Sequence, residues 1–160
     1  MMYIYHCNTQ EETQNLARAL SEISTLQDVW ALFGTLGVGK SVFSRAFIKN
    51  ITSVEDVPSP TFTLVQVYEA PNFDIYHYDL YRLKSAEEIW ELNIEEAFAQ
   101  AVSLVEWPEK MGPYLPRDCF KVNIVWLSQD RRRIEIEVKS EEKKNRLLKA
   151  KIKPDIIDDK

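Results

Sequence analysis

A chain of 160 residues that is 45% hydrophobic and 28% charged is long enough to bury roughly two-thirds of its unfolded surface in one domain, which excludes wholesale disorder. Its net charge of −5 argues against gripping nucleic acid mainly by neutralising phosphates, and no apolar run approaches the roughly 18 residues that span a bilayer. Met1 to Cys7 is too short and polar for a targeting signal, so the expected location is the cytoplasm, with no membrane and no DNA as partner.

Tyr3 to Cys7 reads as a first strand, and Thr9-Gln10-Glu11-Glu12 as a capping box opening a helix whose Leu16, Ala17, Leu20 and Ile23 form one apolar face. Asp28 to Phe33 is a short apolar run of the kind that makes a buried strand. Directly after it, Gly34-Thr35-Leu36-Gly37-Val38-Gly39-Lys40-Ser41 fits G-x-x-x-x-G-K-[ST], the loop that wraps phosphate between a strand and a helix. Three of the chain's four glycines fall inside these eight residues, although glycine is the most costly residue to order. Val42, Phe43, Ala46 and Phe47 then recur at helical spacing. In this context the glycines let backbone N–H groups turn inward on an anion, at which the helix also points its positive end. Lys40 would reach the β- and γ-phosphates, and the Ser41 hydroxyl would ligate Mg²⁺.

Val57-Pro58-Ser59-Pro60-Thr61 follows, with two prolines that force extended backbone. Two readings stand there: a plain turn, or a switch segment whose threonine senses the γ-phosphate. Phe62–Tyr68 and Phe73–Leu80 read as a hairpin. Ser85 and Asn93, each with Glu three positions on, predict two short helices. Ala101 to Val105 suits a central strand buried on both faces, and it ends in Glu106-Trp107-Pro108. Phe120–Leu127 and Arg133–Val138 alternate as a second antiparallel hairpin. Cys7 and Cys119 have no metal or redox spacing and read as buried free thiols. Residues 139–160 carry eight Lys or Arg against five acids; the segment reads as a solvated, partly helical tail or a basic arm touching RNA or an acidic partner, with Pro154–Lys160 frayed.

Phosphoryl transfer needs a phosphate cradle, a metal, a second anchor for the metal and a group that positions the nucleophile. Asp79 and Glu106 each end a strand-like run, where ligands bind in open α/β sheets, and both are candidates for those roles. His77, mid-strand with no nucleophile pattern nearby, reads as a packed histidine. Trp107 is either a core aromatic or a cover for the nucleotide. Of Arg131-Arg132-Arg133, at least two are expected to be solvated.

Four segments together resemble the TsaE (YjeE) family: the Gly34–Ser41 loop, Ser59-Pro60-Thr61-Phe62-Thr63-Leu64-Val65, His77-Tyr78-Asp79-Leu80-Tyr81-Arg82-Leu83 and Leu104-Val105-Glu106-Trp107-Pro108. The resemblance runs from about Thr9 to Val138. It implies a Mg²⁺-dependent ATPase that joins TsaB and TsaD in placing threonylcarbamoyl on the adenosine beside the anticodon. Hydrolysis would reset that complex between turnovers, with tRNA met only indirectly through it. By motif match the catalytic residues are Lys40, Asp79 and Glu106, and the metal ligands Ser41, Glu106 and Asp79. ATP contacts fall on Gln10, on Gly34, Thr35, Leu36, Gly37, Val38, Gly39, Lys40 and Ser41, and on Thr61, Trp107 and Arg131. Thr35, Val38, Ser41 and Asn93 stand where the family usually has Asp, Ala, Thr and Gly; Ser41 keeps the metal-ligating hydroxyl, and Asn93 tolerates a left-handed turn.

The expected fold is therefore an α/β P-loop NTPase domain over residues 1–140, with a mainly parallel central sheet flanked by helices, antiparallel hairpins added from 62–80 and 120–138, and a charged tail at 141–160. The alternative is a P-loop small-molecule or nucleotide kinase, which would need an acceptor pocket and usually an Arg-bearing lid. A third reading is a nucleotide-dependent interaction module that hydrolyses slowly.

Overall fold

The computed structural model describes residues 1–159, and their architecture grows outward from the strand that feeds the glycine loop. That strand, β2 (Val29–Phe33), lies between β5 (Ala101–Glu106) and β6 (Phe120–Trp126) and is parallel to both. Along β5, on its other side, runs parallel β4 (Asp74–Asp79). All six residues of β5 are buried, as its unbroken apolar sequence requires of a strand covered on both faces.

Each predicted hairpin lends one strand to this parallel core and carries the other outside it. β3 (Val65–Tyr68) pairs antiparallel with β4, and β7 (Arg132–Glu137) with β6. β1 (Met2–Cys7) and the closing β8 (Ile156–Asp158) extend the antiparallel side, giving the order β3-β4-β5-β2-β6-β7-β1-β8. The sheet is thus mixed rather than mainly parallel: parallel around the loop strand, antiparallel towards both edges.

The helices α1 (Gln10–Glu22) and α2 (Lys40–Ile51) pack on one face. Beneath them Trp30 stacks on Phe120 at 3.9 Å and meets the edge of Phe47 at 5.6 Å. The opposite face buries Tyr76, Tyr78 and Val105 under the 3₁₀ segment Ala86–Leu92, α3 (Ile94–Gln100) and the turns of Pro108–Tyr114. Strand alternation assigns the faces: Ile75, Leu104 and Val122 point to α1 and α2, whereas their neighbours point away. Both cysteines are free and buried.

Local chemistry places the ends. The Thr9 hydroxyl accepts the Glu12 amide at 3.1 Å, while the Glu12 carboxylate reaches the Asn8 amide, one residue before the usual target of a capping box. Ser85 forms the full capping box, whereas Asn93 makes no side-chain cap and supplies a left-handed residue, φ 57°, instead.

Two expectations are corrected. Phe62-Thr63-Leu64 is a turn and not strand: the Leu64 amide closes on the Pro60 carbonyl at 2.7 Å, with Leu64 at φ 68°. Residues 154–159 are not frayed. α4 (Glu141–Lys149) buries Leu147 and sets Arg146 in a two-pronged ion pair with buried Asp28, at 2.6 and 2.8 Å, before β8 pairs with β1.

Candidate phosphate and metal site

Gly34 leaves β2 at φ +144°, in a place where a Cβ would lie 2.7 Å from Val38 Cγ1 and 2.9 Å from the Ile124 carbonyl. Only a residue without a Cβ fits there. Gly37 and Gly39 also have positive φ, and Gly39 begins α2 without any side-chain cap. The first turn of this 12-residue helix therefore keeps its N–H groups for another acceptor. The Lys40 side chain folds over the loop, donating to the Gly34 carbonyl at 2.5 Å, with its ammonium 3.5 Å from the Trp107 ring centroid. Burial lowers the Lys40 pKa, partly offset by the nearby carboxylates of Glu106, Glu109 and Asp79.

Trp107 reaches this position because it leaves β5 in a left-handed conformation, φ 59°, an unfavourable backbone for a bulky residue and of the kind that collects at functional sites. Its ring also meets Tyr81 at 4.9 Å. The Trp107 ring is half-buried, packed against the core of that face, with the Lys40 ammonium over it.

Register brings the carboxylates together. Asp79 and Glu106 are direct partners at the carboxyl ends of β4 and β5. Glu106, 2% exposed, accepts from Ser41 Oγ at 3.4 Å through Oε1, and from Ser44 Oγ at 3.3 Å through Oε2. His77 Nε2 lies 2.6 Å from the same Oε2. Asp79 accepts from Thr61 Oγ1 at 3.2 Å and from the Tyr81 amide at 3.1 Å, and Thr61 Oγ1 lies 2.9 Å from Ser59 Oγ. The Pro-flanked connector is thus tied through its threonine to the strand-end carboxylate.

Residues the sequence left aside complete the site. His77 is packed, as expected, yet it is also a partner of Glu106. The signal was present: His77 and Asp79 share a face at a spacing of two, and Ser41 and Ser44 share a face at a spacing of three. Among the three arginines, Arg132 is the one that reaches the loop, donating to the Val38 carbonyl at 2.7 Å and lying over Trp126 at 4.1 Å. Arg131 turns instead to Asn8 at 3.4 Å. Arg131 is exposed, and Arg132 and Arg133 are half-buried. Gln10 and Arg132 line a small cavity of about 120 Å³ beside Gly37, Val38 and Gly39. A larger cavity, about 740 Å³, is lined by Asn50 and Phe73 among others and shares no residue with the loop.

The residues fit a phosphate with a hard divalent cation: a cradle that a Cβ would fill, uncapped helix N–H groups, a buried ammonium, and a hydroxyl against a carboxylate. No group of three or more His, Cys, Asp or Glu among the described residues is spaced to hold a metal by itself. No helix of the described residues is long and apolar enough to cross a membrane.

Known proteins resemble this chain in fold and in sequence. A TM-score of 0.74 relates the fold to a crystal structure of Bacillus subtilis YdiB, at 24% identity and 91% coverage of each chain. In sequence, the chain is 44% identical to a tRNA threonylcarbamoyladenosine biosynthesis protein TsaE of Rickettsia bellii, over 78% of this chain and 88% of that one. It is 34% identical to the protein of that name in Bacillus subtilis, over 78% of each. The family model described as threonylcarbamoyl adenosine biosynthesis protein TsaE matches residues 7–146, a span that holds the loop, the Thr61–Asp79 contact and the Glu106 cluster alike. The chain belongs to the TsaE family.

Proposed function

We propose that the protein serves tRNA threonylcarbamoyladenosine biosynthesis as a Mg²⁺-dependent ATPase subunit, working in the cytoplasm with TsaB and TsaD and meeting tRNA through that complex. The observation that carries the reading is the Ser41–Glu106 contact at the end of a glycine loop, beside a buried Lys40. Phosphoryl transfer asks for positioning and charge neutralisation rather than covalent help.

In this reading the backbone N–H groups of residues 35–41 and the α2 dipole hold the phosphates, and Lys40 exchanges its bond to the Gly34 carbonyl for the β- and γ-oxygens. Ser41 and Glu106 would hold Mg²⁺ from the protein side, and the ion would supply positive charge against the negative charge that builds up during transfer. Asp79 aligns the attacking water or supports the metal, and Thr61, tied to Asp79, reports the γ-phosphate to the Ser59–Thr61 connector. Trp107 covers the nucleotide, while Gln10, Thr35, Leu36, Val38 and Arg131 make outer contacts, with Arg132 added from the geometry. Hydrolysis by the subunit alone is slow, well below the typical enzyme rate of about 10 per second, and the partners stimulate it.

The test compares ATP hydrolysis by the protein alone and with TsaB, TsaD and tRNA, in the native chain and in Lys40→Ala and Glu106→Ala. The expected result is stimulation by the partners and loss of at least about a hundredfold in both variants, the scale on which preorganised electrostatic groups act. Hydrolysis that ignores the partners but rises with a small acceptor would move the protein to the kinase class.

A further inference from the structure

We propose that His77 is a positioning residue for ATP hydrolysis: with Ser44 it grips one oxygen of Glu106 so that the other stays directed at Ser41 and the metal. This rests on the reading of Ser41 and Glu106 as the Mg²⁺ end of an ATP site.

The two oxygens of Glu106 are held unequally. Oε2 lies 2.6 Å from His77 Nε2 and 3.3 Å from Ser44 Oγ. Among the described residues, Oε1 has only Ser41 Oγ as a hydrogen-bond partner, at 3.4 Å. The first contact is at the short, charge-assisted end of the hydrogen-bond range, and the last is near its limit. One oxygen is therefore fixed and the other is available. Sequence position explains why: His77 opposes Leu104 in the β4–β5 register, so it lies on the α2 face of the sheet, two residues short of the pair Asp79–Glu106. β5 ends at Glu106, and Trp107 turns sharply away.

The far side of the imidazole supports the same role. His77 is 1% exposed, and its Nδ1 has no hydrogen-bond partner among the described residues. A histidine present only to fill space would leave a buried polar atom unanswered for no return, since leucine fills similar volume without that cost. Facing a carboxylate oxygen, which can only accept, Nε2 is the donor of this contact. A donor on Oε2 orients Glu106 and leaves Oε1 turned toward Ser41. This is the arrangement by which an outer hydrogen bond fixes a metal-binding carboxylate.

The test uses the full chain with His77→Leu, which removes the donor, and His77→Gln, whose amide nitrogen replaces Nε2. Thermal unfolding first establishes that each variant is folded. The dissociation constant of a fluorescent ATP analogue is then measured in Mg²⁺ and in EDTA, and hydrolysis is followed in parallel. Outer-shell changes typically cost 10- to 100-fold in metal affinity. His77→Leu is therefore expected to weaken binding about tenfold in Mg²⁺ and not at all in EDTA, while His77→Gln stays within about threefold of the native protein in both. If His77→Leu does not fold, His77→Asn, whose amide stops short of Glu106, takes its place with the same expected split. Equal loss in both conditions, or no loss in Mg²⁺, overturns the proposal and leaves the ATP reading standing. If the native chain binds the analogue in neither condition, the ATP reading falls and this one with it.

Discussion

Replacing Gly34 with alanine separates what the glycine loop needs for its shape from what it needs for its ligand. The new Cβ would meet two neighbours that cannot easily give way. Val38 Cγ1, 2.7 Å away, belongs to a β-branched side chain that is 2% exposed, and the Ile124 carbonyl, 2.9 Å away, is part of β6. The φ of +144° adds backbone strain for any residue with a Cβ. Strain of about 1–3 kcal/mol and overpacking of about 1–3 kcal/mol give roughly 2–6 kcal/mol in total, a large part of the 5–15 kcal/mol that ordinarily holds a domain folded. At about 2–4 °C per kcal/mol, the melting temperature should fall on the order of 10 °C. Gly37→Ala is the control. Its φ is +77°, but nothing lies within 4 Å of the added atom, so only the left-handed penalty of about 1–2 kcal/mol applies. Urea unfolding followed by tryptophan fluorescence gives both numbers, with unchanged slopes and shifted midpoints expected. If Gly34→Ala proves no more costly than Gly37→Ala, the loop relaxes freely and the close approach to β6 does not fix its path.

Two further predictions concern the rest of the fold. Arg146→Ala strands the buried Asp28 carboxylate, whose pairing holds the Arg146 guanidinium protonated beyond its ordinary range, and should cost about 3–5 kcal/mol in chemical unfolding. Asp28→Leu combined with Arg146→Met should recover most of that, and a double variant as weak as the single would contradict the argument. Burial pushes the Cys7 and Cys119 thiols from 9.0 up to about 11. Below pH 9 both states keep the proton; between pH 9 and 11 only the unfolded chain releases it, so stability falls as pH rises, by at most about 1.4 kcal/mol per pH unit for each thiol. Cys7→Ala with Cys119→Ala should flatten that slope in unfolding curves taken from pH 8 to 11, and parallel curves would refute it.

Legibility followed the range of the interaction. The loop, the buried β5 run and the second hairpin are local patterns, and each stands where period and turn chemistry put it, as does the first hairpin from Val65 on. Phe62-Thr63-Leu64 misled because its β-branched and aromatic composition suits a strand, whereas its backbone is claimed by the Pro60 carbonyl and by the Asp79 amide, which donates to Leu64. The tail misled because its charge pattern suggests solvent, while one arginine finds a buried aspartate 118 residues earlier. At the site, Asp79 and Glu106 were readable as strand ends, but their adjacency depends on a register that no local pattern fixes. Which of three consecutive arginines turns inward depends on how the Ser128–Arg131 turn exposes its carbonyls, three of which Arg132 binds.

The final short strand also bears on how the protein behaves in solution. A sheet of this width ends in rows of unsatisfied N–H and C=O groups that invite another chain to add itself. At one margin β3 is only four residues long; at the other, three residues of β8 cover Met2–Ile4, and Asp155 takes up the next groups, its amide donating to the Ile4 carbonyl and its carboxylate accepting from the His6 amide. The six-residue run of β1 would otherwise be the longest open template on the molecule. The basic C-terminal segment therefore shields the sheet against self-association at the margin farthest from β3.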